Sequence, residues 1–448
     1  MSFGTPIVYA QPHDNLSIPS QFIGDDLKSF GKGARSVVRV LPTSSGSNIA
    51  PSSSALFTIP TGGYSYIKPN SFYLRGKCSV TITGTTNVGW YFAGASSGQS
   101  VSTISGTGVA SSLINRVNIQ MGGTSLSYSN YNHFRNAVLP HCASKEYIET
   151  ELRQLEYAGV TKLATTDVAD SKDIFFSIPL WLPCFNSNQA FPALLLSSPI
   201  TMEIVTEALN SAISSITNAV SNYALSELAL VYETVEVSAE FKNALLASKA
   251  NSYYNIACND WMSVGPMNVD ASNRFQIGCG LSSLKSVLFT FQLTDDVSAV
   301  LAKPKKYTSN GLFNFSISVN NQVLSIPNIN NDSICYAEMN RALQRINDFN
   351  VVSYLSNAAN TDATNLRNSY TSHNFLAGVS TAVFSDWGYA NTGIDAQQVT
   401  LDLIMGGALD TQWQVATATA SASNLYIFFL YDSVISISLA DGTVNITK

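Results

Sequence analysis

Residues 116–139, RVNIQMGGTSLSYSNYNHFRNAVL, decide how the rest of the chain is read. Val117, Ile119 and Met121 alternate with Asn118 and Gln120, and period-two alternation marks a half-buried strand. Gly122-Gly123 interrupts the alternation, which resumes through Ser125, Leu126 and Tyr128. A Gly-Gly pair between two such runs is a two-residue hairpin turn, because both positions accept φ > 0. Tyr131, Phe134, Ala137 and Val138 then follow at spacings of three and four, which predicts a short helix. A glycine-rich phosphate loop is the competing reading of the same residues, and the flanking alternation speaks against it.

The unit occurs twice. FNFSISVNNQVLSI, from Phe313, repeats the alternation with Asn320-Asn321 at the turn. Asn tolerates the left-handed region best among non-glycine residues, so the turn chemistry persists while the residues change. Ile119 maps to Ile317 and Leu126 to Leu324, an offset of 198 (317 − 119). The helix maps Tyr131, Phe134 and Ala137 onto Tyr336, Met339 and Ala342, an offset of 205 (336 − 131), with the extra residues assigned to the loop IPNINNDSIC. Further on, ITMEIVT parallels VTLDLIM (Thr201, Thr400), and Tyr232-Glu233-Thr234-Val235 parallels Tyr431-Asp432-Ser433-Val434. A series of matches in one order argues for two homologous domains, 51–240 and 241–448, preceded by an arm at 1–50.

Composition agrees with a β-rich chain. Of 448 residues, 45% are hydrophobic but only 12% charged, about half the ~25% share of an average soluble domain. Such a Ser/Thr/Asn-rich surface also suits a protein covered by copies of itself. The net charge of −6 gives no whole-chain reason to expect nucleic-acid binding. Cys78, Cys142, Cys184, Cys258, Cys279 and Cys335 form no CxxC pair, which predicts thiols in a reducing compartment. No basic and apolar leader opens the sequence, and the apolar run 425–431 has strand length, so a soluble chain made inside the cell is expected.

Within 1–50, four prolines and a polar run argue against a compact core, and Lys28, Lys32, Arg35 and Arg39 form a modest basic cluster. Strands are expected at SALFTIP, YSYIKP, FYLRGKCSVTITGT, VGWYFAG, IFFSIPLWL, AFPALLL, ITMEIVT and ELALVYETVEVS. KEYIETELRQLEYAGVTKLAT, the stretch densest in helix formers, is expected to be an insertion or helical connector outside the repeat. Residues 207–226 fit a long loop or an amphipathic helix, and the loop is preferred. Roughly eight strand candidates per half, with one or two helices, predict an all-β chain of two tandem eight-stranded antiparallel jelly-roll sandwiches with short helical insertions. Parallel strands would need a helix after nearly every strand.

INRVNIQMGG, IPLWLPC, ITMEI and LALVYETVEVSAEFK in the first half, with FSISVNNQVL, YAEMNRAL and HNFLAGVS in the second, resemble the double jelly-roll major capsid proteins. These include adenovirus hexon, the tectivirus capsid protein, and capsid proteins of virophages, Polinton-like elements and large DNA viruses. The resemblance spans about 51–448. It implies a homotrimer whose six similar domains make a pseudo-hexagonal tile of an icosahedral virion shell. It also implies contacts with neighbouring capsomers, penton and minor capsid proteins, outward loops at 207–226 and 407–423, and an N-terminal arm near an inner membrane or genome.

No residue stands out as catalytic, cofactor-binding or metal-ligating. His133, His141 and Cys142 lie close in sequence, yet no second pair of zinc ligands accompanies them, and His13 and His373 are remote. No nucleophile elbow is present, and Gly278-Cys279-Gly280 reads as a bend. Lys303-Pro304-Lys305-Lys306 reads as a solvated loop, and the sequons at Asn15, Asn314, Asn331 and Asn445 match chance in an Asn/Ser-rich chain. No enzyme and no cofactor are therefore expected. Two other classes compete. Jelly rolls also make sugar-binding or spike proteins, for which Trp90, Trp181, Trp387 and Trp413 would be the stacking residues. A cupin-like enzyme would need a His/Glu metal cluster.

Overall fold

A computed structural model describes residues 35–43, 48–63, 65–82, 90–93, 109–142, 153–156, 159–160, 173–186, 189–215, 220–248, 253–269, 272–294, 307–324, 329–343, 370, 374–382, 393–406 and 422–448. The first half contributes β1 (Arg35–Val40), β2 (Ser54–Ile59), β3 (Tyr73–Ile82), β4 (Ile114–Met121), β5 (Thr124–Tyr128), β6 (Asp173–Pro179), β7 (Ile200–Thr206) and β8 (Val220–Glu236). One sheet runs β1-β8-β3-β6 and the other β2-β7-β4-β5, every ladder antiparallel. The two sheets present alternate residues to each other: Phe57 and Ile59, Val117 and Ile119, Met202 and Ile204 from one, Leu74, Cys78, Leu230 and Tyr232 from the other. A smaller sheet joins Ile213–Ser215, Trp90–Phe92 and Gly159–Val160.

The second half uses β9 (Tyr253–Val269), β10 (Ser272–Leu293), β11 (Leu312–Val319), β12 (Gln322–Val323), β13 (Ala377–Ser380), β14 (Ile394–Met405), β15 (Ser423–Ser438) and β16 (Val444–Thr447). Its order is β9-β15-β10-β14-β11-β12, with β13 also on β10 and β16 on β15. The 22-residue β10 serves both sheets of the sandwich, pairing through Ser272–Leu284 with β14 and through Leu284–Leu293 with β15. At about 3.3 Å per residue it would reach roughly 70 Å if straight. It bends instead, with register shifts between Gly278 and Leu281 and between Leu281 and Leu284, where Gly280 sits at φ 58°. The Gly-Cys-Gly segment is thus a bend. In the first half the same path is cut into β2 and β3, and Pro60 and Pro69, which cannot donate to a ladder, lie in the cut.

Register carries the duplication. Met202 pairs with Ile119 and Leu401 with Ile317; Ile204 pairs with Val117 and Leu403 with Phe315. Both hairpin turns place both central residues at positive φ: Gly122 at 51° and Gly123 at 87°, Asn320 at 48° and Asn321 at 67°. The helices follow as α1 (Tyr131–Cys142) and α3 (Asp332–Ala342), with α2 (Ala239–Ser248) between β8 and β9. Their starts correct the expected helix offset. Phe134 N–H donates to Asn130 O and Cys335 N–H to Asn331 O, so Asn130 corresponds to Asn331 and the offset is 201 (331 − 130). Phe134 therefore matches Cys335 instead of Met339.

Three other expectations change. Residues 220–226 are strand, where Tyr223 and Leu225 are buried and pair with Val80 and Cys78. The preferred loop therefore gives way there: the Ser/Asn-rich composition of the segment hid its alternation. AFPALLL is not a strand but a 3₁₀ turn at Ala193–Leu195, because Pro192 denies the ladder a donor. The last part of the segment read as an arm pairs as β1 with β8, from Arg35 opposite Val235 to Val40 opposite Leu230. Most of the connector helix and residues 407–421 lie outside the described residues.

Candidate functional site: the seam between the halves

Helix α1 belongs to the first half by sequence and packs both on that half and into the second. Its stripe Tyr131, Phe134, Ala137 and Val138 is buried, as the spacing predicts. Phe134 stacks on Trp261 of β9, centroids 4.0 Å apart and planes 12° apart, and meets the edge of Phe428 of β15 at 5.3 Å. Tyr128 adds a ring 5.2 Å from Trp261. Asn130, held at φ 51°, donates to Ser263 Oγ at 3.2 Å and to Gly265 O at 3.1 Å. One apolar core runs through these contacts from β2 and β7 to β9 and β15.

The histidines take structural places here. His133 stacks on Tyr426 at 3.9 Å, with Nδ1 3.1 Å from the Tyr307 hydroxyl. His141 Nε2 donates to Asn374 O at 2.8 Å. Both contacts join α1 to the second half, and with Cys142 exposed the three residues do not converge on one point. Among the described residues no group of three His, Cys, Asp or Glu side chains could hold a metal ion. None of the six cysteines is disulfide-bonded. Burial pushes the Cys279 thiol up, and Sγ donates to Ala396 O at 3.1 Å, the reverse of what activates a nucleophile.

The C-terminal strand clasps the opening hairpin. Val444 N–H donates to Gly122 O at 3.1 Å, and Thr124 Oγ1 donates to Val444 O at 2.5 Å. A Cβ on Gly122 would meet Val444 Cγ2 at 2.5 Å, so this glycine serves a close approach as well as a turn.

Sequence reasoning missed two buried charges, because single charged residues carry no periodic signal. Arg135, fully buried, pairs with Glu156 and lies over the Trp181 ring at 5.7 Å. Asp260 of β9, 2% exposed, accepts from Trp261 N–H at 2.8 Å and from the Tyr431 hydroxyl at 3.2 Å. Burial holds its carboxyl above the ordinary value of 3.8. Of the tryptophans considered for sugar stacking, Trp90 is fully buried and Trp181 half-buried, while Trp387 and Trp413 lie outside the described residues. Trp90 cannot stack on a sugar. Large apolar side chains do reach the surface at Val37 and Leu41, at Phe175 on edge strand β6, and at Phe313, Val323 and Ile404 in the second half.

No family model and no curated protein matches the sequence. Solved structures match nearly its whole length. The crystal structure of PBCV-1 VP54, fitted into a cryo-EM reconstruction of the virophage Sputnik, aligns over 93% of this chain and 97% of its own, with TM-score 0.60 and 12% identity. This is the double jelly-roll fold. The cryo-EM structure of the Sputnik virophage gives TM-score 0.54 and 13% identity over 92% and 88%. The Faustovirus major capsid protein gives 0.53 and 8% over 90% of each chain. At such low identities the TM-scores speak for a shared double jelly-roll fold.

Proposed function

We propose that this chain is a viral major capsid protein that acts by self-assembly, three copies forming a pseudo-hexagonal tile of an icosahedral shell. The observation that carries the reading is the duplicated sandwich with matching register, Met202–Ile119 and Leu401–Ile317, fused through α1 into one body. Two similar domains per chain give a trimer six similar units, so a threefold object fills a hexagonal site. The described seam consists of aromatic stacks and the hydrogen bonds of Asn130, an arrangement that holds the two domains together. The fold shared with the Faustovirus major capsid protein supports the same reading.

In this reading 51–240 and 241–448 are the two units, and 1–50 is the arm that precedes them and contacts an inner membrane or genome, with Arg35–Val40 and Asn48–Ile49 tied to β8. Exposed Val37 and Phe175 on the edge strands of one sheet, with Leu41 just after β1, are the residues offered to neighbouring copies, pentons or minor capsid proteins. Sedimentation equilibrium tests the assembly. A trimer mass, with tiles joining as concentration rises, is expected; a monomer at every concentration sinks the proposal. Specific glycan binding by purified protein that stays monomeric would favour the sugar-binding alternative.

A further inference from the structure

We propose that Lys285 and Asn259 become joined by an amide bond between their side chains, with Asp432 carrying the protons. The three residues lie side by side on neighbouring strands: Asn259 on β9, Asp432 on the central β15, and Lys285 on β10. Asn259 is register partner of Asp432, and Lys285 sits at the register shift between Leu284 and Ser286, which turns it toward both. Lys285 Nζ is 2.8 Å from Asn259 Oδ1 and 3.1 Å from Asp432 Oδ1. The amide carbon is one C=O bond, about 1.2 Å, from that oxygen. Ser283 Oγ donates to Asp432 Oδ2 at 2.9 Å and orients the carboxylate.

The chemistry closes without a co-reactant. Lys285 passes one proton to Asp432, and the neutral amine attacks Asn259 Cγ. The Nζ–Cγ bond forms and the Cγ–Nδ2 bond breaks. Asp432 hands its proton to Nδ2, which departs as ammonia, takes up the second proton shed by Nζ and leaves as ammonium. Nothing is oxidised or reduced, and Asp432 ends as the carboxylate it began as. Lys285 and Asp432 are buried, 9% and 5% exposed, so the pair is shielded from water. Asn259 is exposed, which opens a way out for ammonia.

The first half supplies an internal comparison. Glu233 stands where Asp432 stands in the repeat, and Lys68 Nζ reaches it at 2.8 Å, so the acid–lysine pair is kept. The residue opposite Glu233 on β1 is Val37, where β9 places Asn259 opposite Asp432. The electrophile is present in one half alone. An ion pair bracing the sheet needs no amide; the amide is what the bond-forming reaction adds.

Mass spectrometry of the purified full-length chain tests this, independently of whether the chain builds a shell. The expected intact mass is below the sequence mass by one ammonia, and a protease digest yields one branched peptide joining the segments around Asn259 and Lys285. Lys285→Arg, which keeps the cation, and Asn259→Ala, at an exposed position, should restore the lost mass and abolish the branched peptide. Asp432→Asn should reduce its yield at least tenfold. The sequence mass in aged protein, or ammonia loss without a branched peptide, overturns the proposal.

Discussion

Phe134 and Trp261 stack face to face at 4.0 Å although one lies on the helix after the first hairpin and the other on the first strand of the second half. Their rings, with Tyr128 and Phe428 around them, link the two halves. Trp261→Ala is expected to cost about 3–5 kcal/mol in urea denaturation, as for other buried large-to-small changes. In a double-mutant cycle with Phe134→Ala the coupling should be about 0.5–1.5 kcal/mol. Additive single costs would show that the stack does not join the halves.

The two hairpin turns should respond differently to substitution. Gly122→Ala puts a Cβ at φ 51° and against Val444, so a loss of about 1–3 kcal/mol is expected. Asn321→Gly, at φ 67°, keeps the left-handed turn with nothing new to accommodate, so its thermal midpoint should move little. Equal effects at both turns would contradict the close approach of β16 to the first hairpin.

Asp260 gives one pH signature. Burial raises its folded pKa above 3.8, so the stability it allows is complete below that value and is lost as pH rises through the raised one. Asp260→Asn removes the loss. The thermal midpoint of the variant should therefore gain on that of the unmodified chain with rising pH, and a constant difference would refute the assignment.

Glu233 gives the opposite signature. Hydrogen bonds from Arg35 and Lys68 hold its carboxyl below the ordinary 4.5. The tie between β1 and β8 is thus present above 4.5 and lost as pH falls through the lowered value. Hydrogen-exchange protection of the Ser36–Val40 amides should drop in that window, and Glu233→Gln should lower it at neutral pH. Protection that ignores both changes would mean that the backbone ladder alone holds β1.

The fold was legible where side-chain period and turn chemistry coincide. Ile119, Leu126 and Ile317 are buried on inward-facing registers, whereas Leu324, bonded to Ile317 as its place in the repeat requires, is exposed; Asn320-Asn321 could be equated with Gly122-Gly123 because both pairs meet one dihedral requirement. What failed was set by tertiary context. The strand at 220–226 has a polar composition that only pairing with Val80 and Cys78 explains, and Pro192 overrode the apolar run of AFPALLL. At the seam, the stripe Tyr131, Phe134 and Val138 was readable as buried, but not that Trp261 is what buries it. Arg135, Asp260 and the Lys285–Asn259–Asp432 group were invisible, since each depends on partners brought together by the fold.

The central claim is that the duplicated sandwich builds a threefold tile. Negative-stain electron microscopy of the purified full-length chain tests it most directly. The account predicts particles with a hexagonal outline and threefold averaged density, each made of three chains. Isolated two-lobed monomers at every concentration would contradict it.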